Sequence, residues 1–222
     1  MRIKFNHIAV LSILLFTNFQ CDEDNLCDPV INIASLNVDL SPEKKEYLIG
    51  DTILLKTDFS TLLTLTNSNE KLMIDSGMCN LGLFVLKLGM QPDSLVGFSD
   101  FDIVNIIGEL NQDLIWDQIE KRYKGIVNFN CNDDKCEFKI GLIPKVKGSY
   151  CFALYIGSIM IQDTTLCPSL NKLNDNKFNV NSYNREIYKE LDIHYPILLP
   201  TFTGGGYWDI IDNDGAFAFK VK

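Results

Sequence analysis

Hydrophobic and polar positions alternate along most of this chain. Val30 to Leu40 carries Ile31 and Ile33, then Leu36, Val38 and Leu40, until Ser41-Pro42-Glu43-Lys44-Lys45 breaks the run. Tyr47-Leu48-Ile49, the turn pair Gly50-Asp51 and Thr52-Ile53-Leu54-Leu55 read as strand, turn and strand. Leu62–Thr66, Leu81–Leu88, Gly125–Cys131, Cys136–Ile143 and Gly148–Ile156 follow as strand candidates. The last three are spaced at roughly a dozen residues, which suits a sandwich. In Gly148–Ile156, Tyr150, Phe152, Leu154 and Ile156 form the apolar face, so Cys151 points to the other side. The segment from Gly215 to Lys222 places Phe217, Phe219 and Val221 opposite Ala216, Ala218 and Lys220, and predicts a closing strand.

Two stretches depart from the period of two. Asn111 to Lys124 sets Leu114, Ile115, Gln118, Ile119 and Arg122 near a helical period, with Asn111 as an N-cap and Gly125 as a stop. Ser182 to Leu191 does the same with Ile187, Tyr188 and Leu191, and Ser182 is its cap. These predict one or two short helices that cover a rim or an open edge of the sheets.

The first twenty residues have a different character. Arg2 and Lys4 precede the apolar run Ile8–Phe16, which is far below the ~20 residues a membrane-spanning helix needs. The pattern is that of a secretory signal over residues 1–20. No A-x-A-like pair lies between Thr17 and Cys27, so ordinary cleavage has no site there. Asn18-Phe19-Gln20-Cys21 followed by Asp22-Glu23-Asp24 resembles the bacterial lipoproteins of the Bacteroidota type. The resemblance implies cleavage before Cys21, lipidation of its thiol, and attachment to the outer membrane. In that group an acidic cluster after the cysteine directs export to the cell surface. Gln20 departs from the usual small residue before the cysteine. On this reading residues 21–29 are an acidic lipidated linker, and residues 30–222 form a single β-rich domain with an insertion around 157–214.

Charge narrows the partners. Loss of Arg2 and Lys4 takes the formal net charge from −9 to −11. Such a chain repels phosphate backbones, and no basic stripe offsets this, so nucleic acid is excluded as a partner. With Cys21 assigned to lipid, six cysteines remain: Cys27, Cys79, Cys131, Cys136, Cys151 and Cys167. An even number in an exported protein reads as disulfides, and fifteen pairings are possible. Cys131-Asn-Asp-Asp-Lys-Cys136 places two thiols across a polar turn between strands, where their Cα atoms could sit ~5.5 Å apart. Free thiols and zinc stay as alternatives, zinc with no CxxC pair and one mature histidine, His194.

Catalytic signatures are lacking: there is no Gly-x-Ser-x-Gly, no His-Glu-x-x-His and no Walker-type loop. No cofactor is expected. Asp75-Ser76-Gly77-Met78-Cys79 contains possible nucleophiles but no base beside them. Thr203-Gly204-Gly205-Gly206-Tyr207-Trp208 could present Tyr207 and Trp208 as a stacking platform for a sugar or peptide, or return to the sheet as a loop. Asp209-Ile-Ile-Asp212-Asn213-Asp214-Gly215 offers oxygen ligands but lacks the calcium-loop spacing, and Asn-Asp-Gly is also a turn sequence.

The elements Tyr47-Leu48-Ile49-Gly50-Asp51-Thr52-Ile53 and Gly148-Ser149-Tyr150 resemble immunoglobulin-like domains of bacterial surface proteins. The resemblance implies an Ig-like antiparallel β-sandwich. The expected function is a non-enzymatic binding, adhesion or scaffold module, with an envelope protein or a glycan as partner. The alternative is an envelope glycan hydrolase using paired carboxylates among Glu109, Asp209 and Asp212, which only their spatial separation would reveal.

Overall fold

The computed structural model describes residues 31–66, 68–73, 79–88, 97–117, 122–159, 170–173, 176–187 and 214–222. Its strands in chain order are β1 (Ile31–Ala34), β2 (Asn37–Ser41), β3 (Glu46–Tyr47), β4 (Ile53–Ser60), β5 (Leu62–Thr64), β6 (Lys71–Met73), β7 (Cys79–Leu88) and β8 (Phe101–Ile107). Then come β9 (Glu109–Asp117), β10 (Arg122–Asn128), β11 (Asn130–Cys131), β12 (Lys135–Pro144), β13 (Gly148–Ile159), β14 (Leu170–Leu173), β15 (Lys177–Asn179) and β16 (Ala216–Val221). One sheet has the order β1-β14-β13-β7-β10-β9, with β16 beside β13 and β3 beside β16. The other has the order β11-β12-β4-β2-β15, with β8 also beside β12. The protein is mainly β, an Ig-like sandwich. β5 and β6 form a two-stranded sheet of their own, whose Leu63 packs into the main core.

Alternation decides which side chains meet between the sheets. Leu81, Leu83, Val85, Tyr150, Phe152, Leu154, Phe217, Phe219 and Val221 face Val38, Leu40, Ile53, Leu55, Phe138, Ile140, Leu142 and Phe178 in one buried core. The opposite face of β7, β13 and β16 is buried as well, through Phe84, Leu86, Cys151, Ala153, Ala216 and Ala218, with Ile187 packed on them. This second layer explains why β16 carries alanines where a solvated strand would carry polar residues. The expected faces of β16, and of β13 as far as Leu154, are therefore observed, and the side chain of Ile156 lies outside the described residues.

Among the described residues three strand pairs are parallel, and all join an early strand to a late one: β1 with β14, β2 with β15, and β3 with β16. β14 and β15 fall inside the stretch expected as an insertion, yet they belong to the two sheets. At residues 183–184 the backbone follows the edge of β16. Ala218 N–H donates to Tyr183 O at 3.4 Å, and the Asn184 side-chain amide donates to Ala218 O at 2.8 Å. The edge-covering role expected of the 182–191 segment is thus met at its start, where residues 185–187 are helical.

Where it is described, the stretch expected as a helix over Asn111–Lys124 is instead strand, β9 and the start of β10, and residues 118–121 lie outside the described residues. β9 pairs antiparallel with β10, setting Ile115 opposite Lys124 and Leu110 opposite Val127. Leu110 and Val127 are buried, and pairing with β7 carries β10 into the sheet, so tertiary contacts override a weak local period. Gly125, expected as a helix stop, lies within β10. A Cβ there would sit 2.7 Å from Leu110 Cδ1 and 2.8 Å from Phe98 Cζ, so its bare backbone makes room for those side chains. The expected strand Tyr47–Ile49 also shortens, and pairing stops at Tyr47.

Cys131 and Cys136 lie opposite each other across β11 and β12 and form a disulfide, with Cα atoms 4.0 Å apart. Cys79 and Cys151 are buried thiols, so the reading of all six mature cysteines as disulfides does not hold for these two. They lie on opposite faces of one sheet, Cys79 in the main core and Cys151 in the second layer. Burial pushes the Cys79 thiol up to about 12. Peptide mapping of unreduced protein should recover the Cys131–Cys136 link, while Cys79 should react with iodoacetamide only after unfolding. So short a loop contributes ~2 kcal/mol of chain-entropy stabilisation. Alkylation of Cys131 and Cys136 without reduction would refute the pairing.

Candidate functional site

The residues singled out for chemistry divide by place. Cys21, Cys27, Cys167, His194, Tyr207, Trp208, Asp209 and Asp212 lie outside the described residues. Glu109 is exposed at the start of β9. Asp214 is in a left-handed turn (φ 66°) and its carboxylate accepts from Arg185 Nη2 at 2.7 Å, while Asn213 lies outside the described residues. Its carbonyl accepts from Phe178 N–H, which ties the turn to β15. Among the described residues no group of three or more metal-ligating side chains comes together.

The strand registers give the sandwich two distinguishable ends. β13 begins at Gly148 beside Val221 and ends at Ile159 beside Cys79. Ile31 pairs with Leu170, and Lys172 of the same strand pairs with Ser158, so β1 begins at the Cys79 end. The disulfide also belongs there, since Phe129 N–H donates to Cys79 O two residues before Cys131. The opposite end is assembled from residues 42–51, 100–102, 144–148 and 220–222. Gly50 N–H donates to Pro144 O at 3.0 Å, Lys145 N–H to Asp100 O at 2.7 Å, Lys220 N–H to Lys45 O at 3.0 Å and Lys222 N–H to Tyr47 O at 2.9 Å.

Two buried tyrosines pin the loops of this end. The Tyr47 hydroxyl donates to Pro42 O and accepts from Lys44 N–H at 3.1 Å, which holds the 42–47 loop. Burial pushes its phenol up to about 12. The Tyr150 hydroxyl lies 2.8 Å from Asp100 Oδ2 and 2.9 Å from Val146 O. This is the corner geometry of Ig-like sandwiches, a tyrosine reaching back to backbone a few residues upstream. Lys87 Nζ sits 2.7 Å from the same Asp100 oxygen and 5.5 Å from the Tyr150 ring centre. Burial, and the Asp100 carboxylate that accepts its proton, push the Tyr150 phenol well up. Asp51 closes the neighbouring turn: its carboxylate accepts from Leu48 N–H and from Lys44 Nζ, and both hold that carboxyl below the usual range.

Held this way, the loops present apolar side chains to solvent. Leu48 is 62% exposed, Ile49 47% and Val146 39%. Around them stand Lys44, Lys45, Lys145, Lys147, Lys220 and Lys222. Four of them are in ion pairs, Lys44 with Asp51, Lys45 with Glu186, Lys145 with Asp102 and Lys222 with Glu46, and the same segments hold the carboxylates Glu43, Glu46, Asp51, Asp100 and Asp102, so the charge at this end is close to balanced. Sequence reasoning missed this surface because Leu48 and Ile49 look like the core of a strand. The usable signal was the Gly50-Asp51 turn, which ends the strand at Tyr47.

A second apolar exposure lies along β8, where Val104 and Ile106 reach solvent on a strand whose pairing among the described residues is with β12 alone. The register slips at Ile106, between Asn105 and Ile107, and such a bulge twists an edge away from further pairing.

No protein-family model matches the sequence, and no curated protein matches it. Among solved structures the chain is similar to the human F-spondin reeler domain, with 9% identity over 69% of this chain and 93% of that one and a TM-score of 0.33. It is similar to a cohesin module from a Clostridium perfringens family 33 glycoside hydrolase, with 11% identity over 64% and 92% and a TM-score of 0.29. It is also similar to a non-cellulosomal cohesin from the archaeon Archaeoglobus fulgidus, with 14% identity over 72% and 97% and a TM-score of 0.24. Similarity this distant says nothing about what the chain binds.

Proposed function

We propose that this protein is an exported lipoprotein, anchored through Cys21 on the surface side of the outer membrane, whose sandwich is a non-enzymatic binding module. The observation that carries the binding reading is the pair of tyrosine-pinned loops that display Leu48, Ile49 and Val146. Exposed apolar groups on rigid backbone lose little freedom on association, which is how preorganised surfaces bind. Cys21 after the Ile8–Phe16 run and the acidic Asp22-Glu23-Asp24 support the anchor. The Cys131–Cys136 disulfide suits an oxidising compartment outside the cytoplasm. Two acyl chains on one cysteine give stable attachment without a membrane-spanning helix. Metabolic labelling with a fatty acid tests the anchor directly. Cys21→Ala should abolish the label and move the protein from the membrane fraction to the soluble one, and a mutant that still takes up lipid would end this reading.

A further inference from the structure

We infer that Cys27 and Cys167 form a second disulfide, which fastens the chain ahead of β1 to the chain ahead of β14. Both cysteines lie outside the described residues, and the inference stands on the ladder that the two strands share. In this parallel pair every residue of β1 faces the residue 139 positions later, from Ile31 with Leu170 to Ala34 with Leu173. Carried back by that register, Pro29 comes opposite Pro168, Asp28 opposite Cys167 and Cys27 opposite Leu166. The two thiols thus fall on neighbouring chains, offset by a single residue. With strands ~4.8 Å apart and a rise of ~3.3 Å per residue, that offset sets their Cα atoms ~5.8 Å apart, inside the range a disulfide spans.

The local sequence keeps both leads on this course. Proline disfavours helical backbone in the residue before it, which favours extended conformations at Asp28 and Cys167. Proline also has no N–H to give to a ladder, so hydrogen bonding between the two chains weakens at Pro29 and Pro168. The covalent link takes over just beyond that point.

The other cysteines are placed or engaged elsewhere. Cys131 is bonded to Cys136. Cys151 lies eight residues along β13 from Ile159, roughly 26 Å from the end at which β1 and β14 begin. Cys79 faces Ile159 across the ladder of β7 and β13, but it is a free thiol in the main core, where burial disfavours the thiolate that oxidation needs.

Forming the bond takes one hydrogen from each thiol. Both protons and both electrons pass, through a mixed disulfide, to a protein disulfide of the export compartment, which leaves as a dithiol. The inference therefore rests on the export reading above. The bond matters because β1 is short and weakly held: four residues at the edge of its sheet, with β14 as its strand partner among the described residues. On an anchored chain, tension entering from the linker passes through the bond into β14 and does not peel β1 away.

The test is peptide mapping of the full chain, isolated from its native envelope without reduction and with free thiols blocked by iodoacetamide. A Cys27–Cys167 peptide pair is expected beside the Cys131–Cys136 link. Cys27→Ser should expose Cys167 to alkylation in the folded protein. Either serine variant should lower the melting temperature by roughly 5–15 °C, and the double variant no further than a single one. Alkylated Cys27 and Cys167 beside an intact Cys131–Cys136 link would overturn the inference. So would a link from either residue to Cys79, or one between two copies of the chain. If Cys131 and Cys136 are alkylated as well, the export reading fails instead. Oxidation of the purified chain by glutathione disulfide then decides the bond, and its failure to join Cys27 to Cys167 overturns the inference too.

Discussion

Replacing Phe219 with alanine lowers the stability of the sandwich by about 3–5 kcal/mol. The ring has no solvent exposure and lies where both sheets converge. Its centroid is 4.7 Å from that of Phe152, 5.3 Å from Tyr47, 5.8 Å from Tyr150, 6.1 Å from Phe217 and 6.3 Å from Phe101. Truncation removes five aromatic contacts at once, and neighbours that are rings held by two sheets collapse poorly into the void. The two pinning tyrosines are among them, so the loss spreads to the loops at Pro42 and Val146. Thermal unfolding followed by circular dichroism should show a melting temperature lower by roughly 6–20 °C. A midpoint within a degree or two of the parent would mean that β16 does not close this core.

Two glycines provide a second, sharper expectation. Gly108 and Gly50 both adopt left-handed backbone, with φ of 71° and 88°, so alanine at either carries about 1–2 kcal/mol of strain. They differ in surroundings. Gly108 turns the chain from β8 in one sheet to β9 in the other, and a Cβ there would lie 2.5 Å from the Asn128 carbonyl oxygen. That oxygen is backbone and cannot swing aside. A Cβ at Gly50 meets nothing within 4 Å. Gly108→Ala should therefore add an overpacking cost of about 1–3 kcal/mol to the strain that Gly50→Ala pays alone. Urea unfolding of the two variants measures the difference, and equal losses would show that the crossing at Gly108 is not as tight as the structure has it.

How much of this was legible in the sequence varies with the range of the interaction involved. β13 and β16 were readable, faces included, because an aromatic at every second position has one consistent solution, a strand with that face buried. Cys131 and Cys136 were readable because four polar residues between strands make a hairpin that brings the thiols together. Leu114 and Ile115 misled because two adjacent apolar residues satisfy a helical stripe, and nothing local says that this backbone pairs with β10 instead. Leu48 and Ile49 misled in the other direction, since burial is a property of what packs against a residue and nothing local says that nothing does. The alanines of β16 hinted at a second buried layer without naming Ile187 as part of its cover. The display end itself draws on four segments separated by up to about 180 positions in sequence, and no local pattern joins them.

The pairing of early strands with late ones has a kinetic side. Glu46 and Tyr47 find their strand partners at Lys220 and Val221, so the sandwich cannot be completed before residue 221 has been made. Contacts of such sequence separation slow folding, because a long loop must close before it gains any of their stability. For a chain that crosses a membrane on its way out, as proposed above, that delay is useful. On that proposal the emerging polypeptide would stay threadable through a narrow channel, and the topology that makes folding late would also postpone it to a compartment where Cys131 and Cys136 can oxidise.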